Sequence, residues 1–313
     1  MRPDIFSNKL QRRIARISSR SISSFNWLLP YFVLPWRAKT FKTSWKYIGS
    51  VIKNFFVLQF FQKWGFYHIP VVNVESPLDN TVPFIPGKID IYMHFVNFWL
   101  SPLSMLIQRF GAGRSLPFAK EFIEYITKAY NEAARVYKFR LTTTNRPDYR
   151  KNAKFKNIHN LDPHYLCVPS LHVAIAVLCF SYYKMLFERE NFTEREKEKW
   201  NKELYEGAVA ITESVLFVKQ HSVNCIPAAL YMMSHITDFF TTDDAVNFIN
   251  DLFKNTPELT GENRRAVIEH IHYMYERLIL EGCHEDDWAV PVQRWIVSHA
   301  KATGQDKIIK NAR

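Results

Sequence analysis

The sequence predicts an all-α protein, and three observations lead there. Apolar residues recur at helical rather than alternating spacing, strand-like alternation is scarce, and glycine supplies only 9 of 313 residues, with no Gly/Ser linker and no fixed-period repeat. A chain of this length can bury one large core or two modest ones without disulfides or metal.

The elements follow in order. Residues 1–45 form a basic, aromatic lead-in. Within its first 25 residues Arg2, Lys9, Arg12, Arg13, Arg16 and Arg20 stand against Asp4 alone, and Leu10, Ile14 and Ile17 fall at helical spacing. That pattern fits an interfacial helix or a solvated basic tail. Residues 46–61, "KYIGSVIKNFFVLQFF", read as helix, whereas "PVVNVESPLDNTVPFIP" at 70–86 reads as loop because it holds four prolines. A helix over about 89–110, broken or kinked near Pro102, is followed by one over 117–138. Segment 139–168 is basic and irregular. Two apolar helices, 171–187 and 206–236, flank the charged "ERENFTEREKEKWNKELY", a solvated helix or hairpin. Beyond about residue 240 the helices turn soluble in character: "RRAVIEHIHYMYERLILEG" sets Val267, Ile268, Ile271, Met274 and Leu278 at helical spacing and ends at Gly282 as a C-cap. Three regions result: the lead-in and first helix at 1–79, a helical core at 80–239, and an extension at 240–313 packed on that core.

The formal charge of +11 favours anionic partners such as nucleic acid, acidic lipid surfaces or phosphorylated substrates. No helix-turn-helix, zinc finger or aromatic RNA-binding signature is present, so nucleic acid is not expected. Cys167, Cys179, Cys225 and Cys283 show neither CxxC pairing nor metal-ligand spacing, which predicts free thiols in a reducing compartment and no metal site. No signal peptide is expected, since "FNWLLPYFVLPW" is broken by Pro30 and Pro35. A mean hydropathy of -0.21 is low for an embedded protein, while 15% aromatic residues and several apolar helices are high for a freely soluble one. Membrane association, spanning or peripheral, is the expectation; otherwise the protein is cytoplasmic.

Three polar clusters carry chemistry. The first is Arg146-Pro147 in a basic loop, with Lys138 and Arg140 upstream; a guanidinium fork suits two phosphate oxygens at once. The second is Pro169-Ser170-Leu171-His172 ahead of an apolar run. Ser170 reads as a helix N-cap, and His172 in the first turn lies where unpaired N–H groups and the helix dipole favour an anion. The third is Ser214 with Lys219 and His221. Ser214 and His221 are two helical turns apart, and the helix must break near Lys219 if all three are to meet. Charged and polar groups inside an apolar run are costly to bury without a purpose or a partner.

The order Arg-Pro, Pro-Ser-x-His, Ser-x6-His is similar to the three signature motifs of the type 2 phosphatidic acid phosphatase superfamily, which includes the vanadium haloperoxidases. "LDPHYLCVPSLHVA", "SVLFVKQH" and "TVPFIPGKIDIYMHF" resemble its inositol phosphorylceramide synthase-like branch, and the resemblance covers roughly residues 80–236. It implies a helical bundle of that type, acting as phosphatase or phosphotransferase on a phosphate ester, a lipid phosphate above all, at a membrane surface and without cofactor or metal. His221 would attack phosphorus to give a phosphohistidine, and His172 would protonate the leaving alcohol. Arg146, Ser170, Ser214, Lys219 and Lys138 would hold the phosphate oxygens. Lys138 stands one residue further from Arg-Pro than the family's lysine, with Arg140 a rival, and Val215 replaces the usual arginine after serine. Where the family places an aspartate four residues after the nucleophilic histidine, this chain has Cys225. The alternative implied is a weak or inactive member that binds phospholipid or another anion.

Overall fold

The computed structural model describes residues 3–305, with side chains from residue 11 onward; Arg2, the side chains of Asp4, Lys9 and Leu10, and residues 306–313 of the C-terminal region lie outside the described residues. The described chain is mostly helical. Its N-terminal half comprises α1 (Pro3–Ser18), α2 (Leu29–Val33), α3 (Ala38–Val51), α4 (Leu58–Lys63), α5 (Ile89–Met93), α6 (Phe95–Phe110) and α7 (Ala112–Phe139). The other half comprises α8 (Ala153–Leu161), α9 (Leu171–Arg189), α10 (Glu194–Phe217), α11 (Cys225–Ile236), α12 (Thr242–Asp251), α13 (Gly261–Gly282) and α14 (Ala289–Ala302). Two strands, β1 (Val71–Asn73) and β2 (Leu141–Thr143), pair in parallel with Val72 opposite Thr142.

Helix α9 is the axis of the core. It packs against α6, α7, α10 and α11, and its residues from Val173 to Tyr183 are buried on every side. Among the described residues α9 is the one helix long and apolar enough to cross a membrane, yet 78% of its apolar window is buried in protein. A helix apolar all round is what the centre of a helical core requires. Helix α13 lies on α11, while α14 lies on α7 and against β1.

Several boundaries differ from the sequence expectation. The kink expected at Pro102 lies instead at His94, between α5 and α6, and Pro102 sits inside α6. The apolar run 206–236 is two helices, because the chain leaves α10 at Phe217 and re-enters helix only at Cys225. The charged run resolves into a turn and the start of α10, opened by a Thr193–Glu196 capping box. The segments expected to be irregular contribute β1, β2 and α8. Gly282 is the last residue of α13 rather than a residue beyond it, and a Cβ there would run into the Tyr231 hydroxyl. That glycine answers a close helix approach instead of a cap.

The N-terminal helix is docked, not a solvated tail. Arg13 Nε donates to the Gln108 carbonyl at 2.5 Å and Ile17 is buried. At the same end of the molecule the buried Glu196 accepts both Arg109 Nη atoms, at 2.5 and 3.1 Å, together with the Ser18 hydroxyl and the Thr193 N–H. One carboxylate thereby ties α1, α6 and the start of α10. Glu196→Ala leaves the Arg109 charge buried without its counter-ion, so urea denaturation should show a loss of about 3–5 kcal/mol.

Candidate active site

The strand β2 positions the first wall of the site. Thr142 N donates to the Tyr165 carbonyl at 3.0 Å, its own carbonyl accepts from Cys167 N at 3.2 Å, and its hydroxyl accepts from Val168 N at 2.8 Å. One threonine thus fixes the backbone of residues 165–168 on both sides. The fixed segment runs into Ser170, whose Oγ accepts from Val173 N at 3.4 Å and caps α9, with His172 in the first turn.

The second wall is the break between α10 and α11. After Phe217 the chain turns through Lys219 in the left-handed region, φ +55, and the N–H groups of Gln220 and His221 both donate to the Val215 carbonyl. Residues 74–85 clamp this turn. Asp79 Oδ1 accepts from Val223 N at 2.8 Å, Asn224 Nδ2 donates to the Val74 carbonyl at 2.9 Å, and Ile85 N donates to the Phe217 carbonyl at 2.9 Å.

These walls bring the two imidazoles together, with ring centroids 5.7 Å apart and planes at 65°. His221 is buried, and its Nδ1 lies 3.2 Å from the Cys167 carbonyl. A carbonyl can only accept, so Nδ1 carries the proton and Nε2 keeps its lone pair. That lone pair faces the Ser170 hydroxyl at 3.3 Å. Burial, then the neighbouring His172, hold the His221 pKa well below the ordinary value, against the pull of the Cys167 carbonyl. His172 is wedged between Tyr92, stacked at 4.5 Å, and Phe95 at 4.6 Å. Burial lowers its pKa to about 4, with Asp162 opposing and Arg146 assisting. Both rings are therefore neutral near pH 7.

The charge of Arg146 acts on both imidazoles. Its fork is engaged by Asp162, through the carbonyl at 3.1 Å and Oδ2 at 2.6 Å, while its buried Nε has no partner. A cleft of ≈ 390 Å³ opens along Arg146, lined also by His159, His164 and Lys63. His159 Nε2 is likewise buried without a partner. His164 is buried, hydrogen-bonded to Thr144 Oγ1 at 2.7 Å, and held neutral chiefly by burial. Tyr92, Phe95, His159 and His164 were not expected as site residues. The signal lay in "NIHNLDPH", which places two histidines on either side of Asp162.

Three of the residues expected to hold phosphate have other partners. Lys138 Nζ donates to Asn54 Oδ1 at 3.0 Å, on the α3–α7 side of the molecule. Ser214 is buried and its hydroxyl donates back to the Ile211 carbonyl at 2.7 Å. The Lys219 ammonium donates to the Asp79 and Val82 carbonyls, which makes it a fastener for the 74–85 clamp. At the position of the family's aspartate, the Cys225 thiol is fully buried beside Cys167, and burial pushes its pKa well up, so it is neutral. Among the described residues no group of His, Cys, Asp and Glu side chains is arranged to hold a metal ion.

A scan against protein-family models gave no match, and neither curated proteins nor solved structures gave one.

A histidine kept neutral by burial stabilises the fold fully above its unfolded pKa of about 6.5, and that contribution is lost as pH falls toward the folded value. His164 is such a group. Between pH 7 and pH 5 the wild type should lose about 2 kcal/mol relative to His164→Gln, measured by urea denaturation at each pH.

Proposed function

We propose that the chain is a phosphatase or phosphotransferase acting on a phosphate ester, a lipid phosphate in particular, through a phosphohistidine on His221. The observation that carries this reading is the anchored His221 imidazole, with its Nε2 lone pair directed at Ser170 and a second imidazole beside it. This disposition, together with the order of the motifs, is what supports membership of the phosphatidic acid phosphatase superfamily.

In the first half-reaction Nε2 of neutral His221 attacks phosphorus, and the P–O bond to the alcohol breaks with its electron pair. His172 gives that oxygen a proton. In the second half, water or an acceptor hydroxyl loses its proton to His172 and attacks phosphorus, and the P–N bond breaks to restore His221. Ser170, released from Nε2, turns its hydroxyl to a phosphate oxygen, and Arg146 offers its unpaired Nε–H and positive charge as charge develops on those oxygens. The phosphate itself supplies the charge that arms the acid, raising the pKa of His172 from about 4.

A second reading, anion binding with little turnover, is favoured by one observation: the Arg146 fork is already occupied by Asp162. Assay of phosphate release from phosphatidate in mixed micelles separates the two. The first reading expects release that His221→Ala reduces by about 10³-fold or more and His172→Ala by about 10²–10⁴-fold. Equal rates in wild type and His221→Ala, or none in either with phosphate still bound, favour the second. In the free enzyme His172 is protonated only at acidic pH, so kcat/KM should be greatest near or below about pH 5 and fall toward pH 8. That declining limb should be missing in His172→Ala.

A further inference from the structure

The charge of this chain is not spread over it. Residues 1–74 hold twelve of the Lys and Arg residues and one acidic residue, Asp4, which accounts for the whole net charge of +11; residues 75–313 hold 29 of each sign. No acidic residue occurs between Asp4 and Glu75. The same segment carries most of the large apolar side chains left in solvent. Phe32 is 73% exposed, Trp36 69%, Trp64 61% and Phe66 68%.

The helix running from α3 through a π-helical stretch, Ile52–Val57, into α4 is built inside out. The side turned to the protein is largely polar: Thr40, Thr43, Ser44, Ser50, Asn54 and Gln59 are all buried, alongside Leu58 and the partly buried Tyr47 and Phe55. Several have internal partners: Ser50 Oγ and Asn54 Nδ2 donate to Asn131 Oδ1 at 2.7 and 2.8 Å, and Thr40 Oγ1 donates to the Leu34 carbonyl at 2.6 Å, while Ser44 Oγ has no partner among the described residues. The side turned outward is apolar: Phe41, Trp45, Ile52 and Phe56, spaced by four, seven and four residues, share one stripe and are exposed. Trp36 packs edgewise on Trp45 and Phe41 lies tilted against it, both at 6.2 Å, giving an aromatic cluster. Beside the stripe run Lys39, Lys42, Lys46 and Lys53, all exposed. None of these four, nor Arg37 or Lys63, forms an ion pair with a described carboxylate.

An apolar exterior over a polar interior reverses the pattern that water imposes on a surface helix. The occupant of this face must be apolar at the stripe and anionic beside it. A second copy meeting face to face would set two unpaired rows of lysine against each other, which excludes the symmetric dimer on charge. A duplex nucleic acid would satisfy the lysines and leave Ile52, Phe56 and Phe32 in water. A bilayer bearing anionic lipid satisfies both, with aromatic side chains at the headgroup boundary and lysines on phosphates. The lysines also fix the attitude of the helix. Spread from residue 39 to 53, they would pass through hydrocarbon in a spanning helix and reach headgroups together only when its axis lies in the membrane plane.

We propose that residues 28–67 form a monotopic membrane-docking face, with the α3–α4 helix lying in the plane of an anionic bilayer and Phe41, Trp45, Ile52 and Phe56 inserted at the interface. The face is separate from the imidazole pair and holds whether or not the chain turns over phosphate esters. Met93 and Val96 are also exposed, each one residue from the rings that pack on His172.

The test is flotation of the full chain with vesicles of phosphatidylcholine alone and of phosphatidylcholine mixed with phosphatidylglycerol. The wild type should float with the mixed vesicles, more weakly with the neutral ones, and with salt reducing the difference. Replacing Phe41, Trp45, Ile52 and Phe56 together with serine should lower partitioning at least ~10-fold on both vesicle types. Lys42→Glu/Lys46→Glu should cut partitioning on the mixed vesicles by about 5-fold or more per lysine and leave the neutral ones unchanged. Trp45→Glu alone supplies the apolar arm should the quadruple variant fail to fold by circular dichroism. Three results overturn the proposal: a wild type that does not float with the mixed vesicles, including one retained instead by duplex DNA; an apolar variant that floats as the wild type does; or a dimer in solution that the serine substitutions dissociate.

Discussion

The candidate chemistry rests on one hydrogen bond, from His221 Nδ1 to the carbonyl of Cys167. Nothing else in contact with that ring decides which nitrogen bears the proton. Where the resembling family uses a carboxylate, this chain offers a fully buried neutral thiol at Cys225, and the main chain takes over the orienting role. The substitution is not equivalent in energy. A carbonyl fixes tautomer and direction as a carboxylate does, but it gives a developing imidazolium only a dipole and no full charge. The cost of that difference falls on the transition state rather than on the resting geometry.

The carbonyl is where it is because several weakly connected pieces converge. Thr142 holds residues 165–168 through both its backbone and its hydroxyl, β1 holds β2, and residues 74–85 hold the turn that carries His221. Lys219 is partly buried, which lowers its pKa, and its ammonium donates to two carbonyls of the clamp. A charge placed there fastens residues 79–82 to the turn that carries the histidine. The cleft along Arg146 is lined also by Lys63, His159, Asp162 and His164, and Ser170, His172 and His221 are not among its lining residues.

Much of this was legible in the sequence, and the rest was hidden for identifiable reasons. The helical class followed from spacing, Ser170 as an N-cap followed from its place ahead of an apolar run, and the break near Lys219 followed from the helical geometry that keeps Ser214, Lys219 and His221 from meeting on an unbroken helix. Ser170, His172 and His221 lie together in the fold and the charge of Arg146 acts on both imidazoles, while Lys138, Ser214 and Lys219 have other hydrogen-bond partners. Motif spacing cannot separate these cases, because a lysine reads the same whether it faces a ligand or a backbone carbonyl. The Cys167 carbonyl was invisible for a simpler reason: every residue has one, and only tertiary structure selects it. The three-residue strands β1 and β2 carry too little pattern to register, and their pairing spans some seventy residues of chain. In α3 the polar stripe is the buried one, so reading hydropathy alone assigns its two faces the wrong way round.

The state of one imidazole proton tests the account most directly. Nitrogen-15 NMR of histidine-labelled protein at pH 7, with His221 assigned by comparison with His221→Gln, distinguishes the neutral tautomers from each other and from imidazolium. The account predicts a neutral ring with Nδ1 protonated, unchanged on lowering the pH to about 6 because burial holds the pKa well below the ordinary value. A ring protonated at Nε2, or one charged at pH 7, would leave no lone pair facing Ser170 and would contradict it.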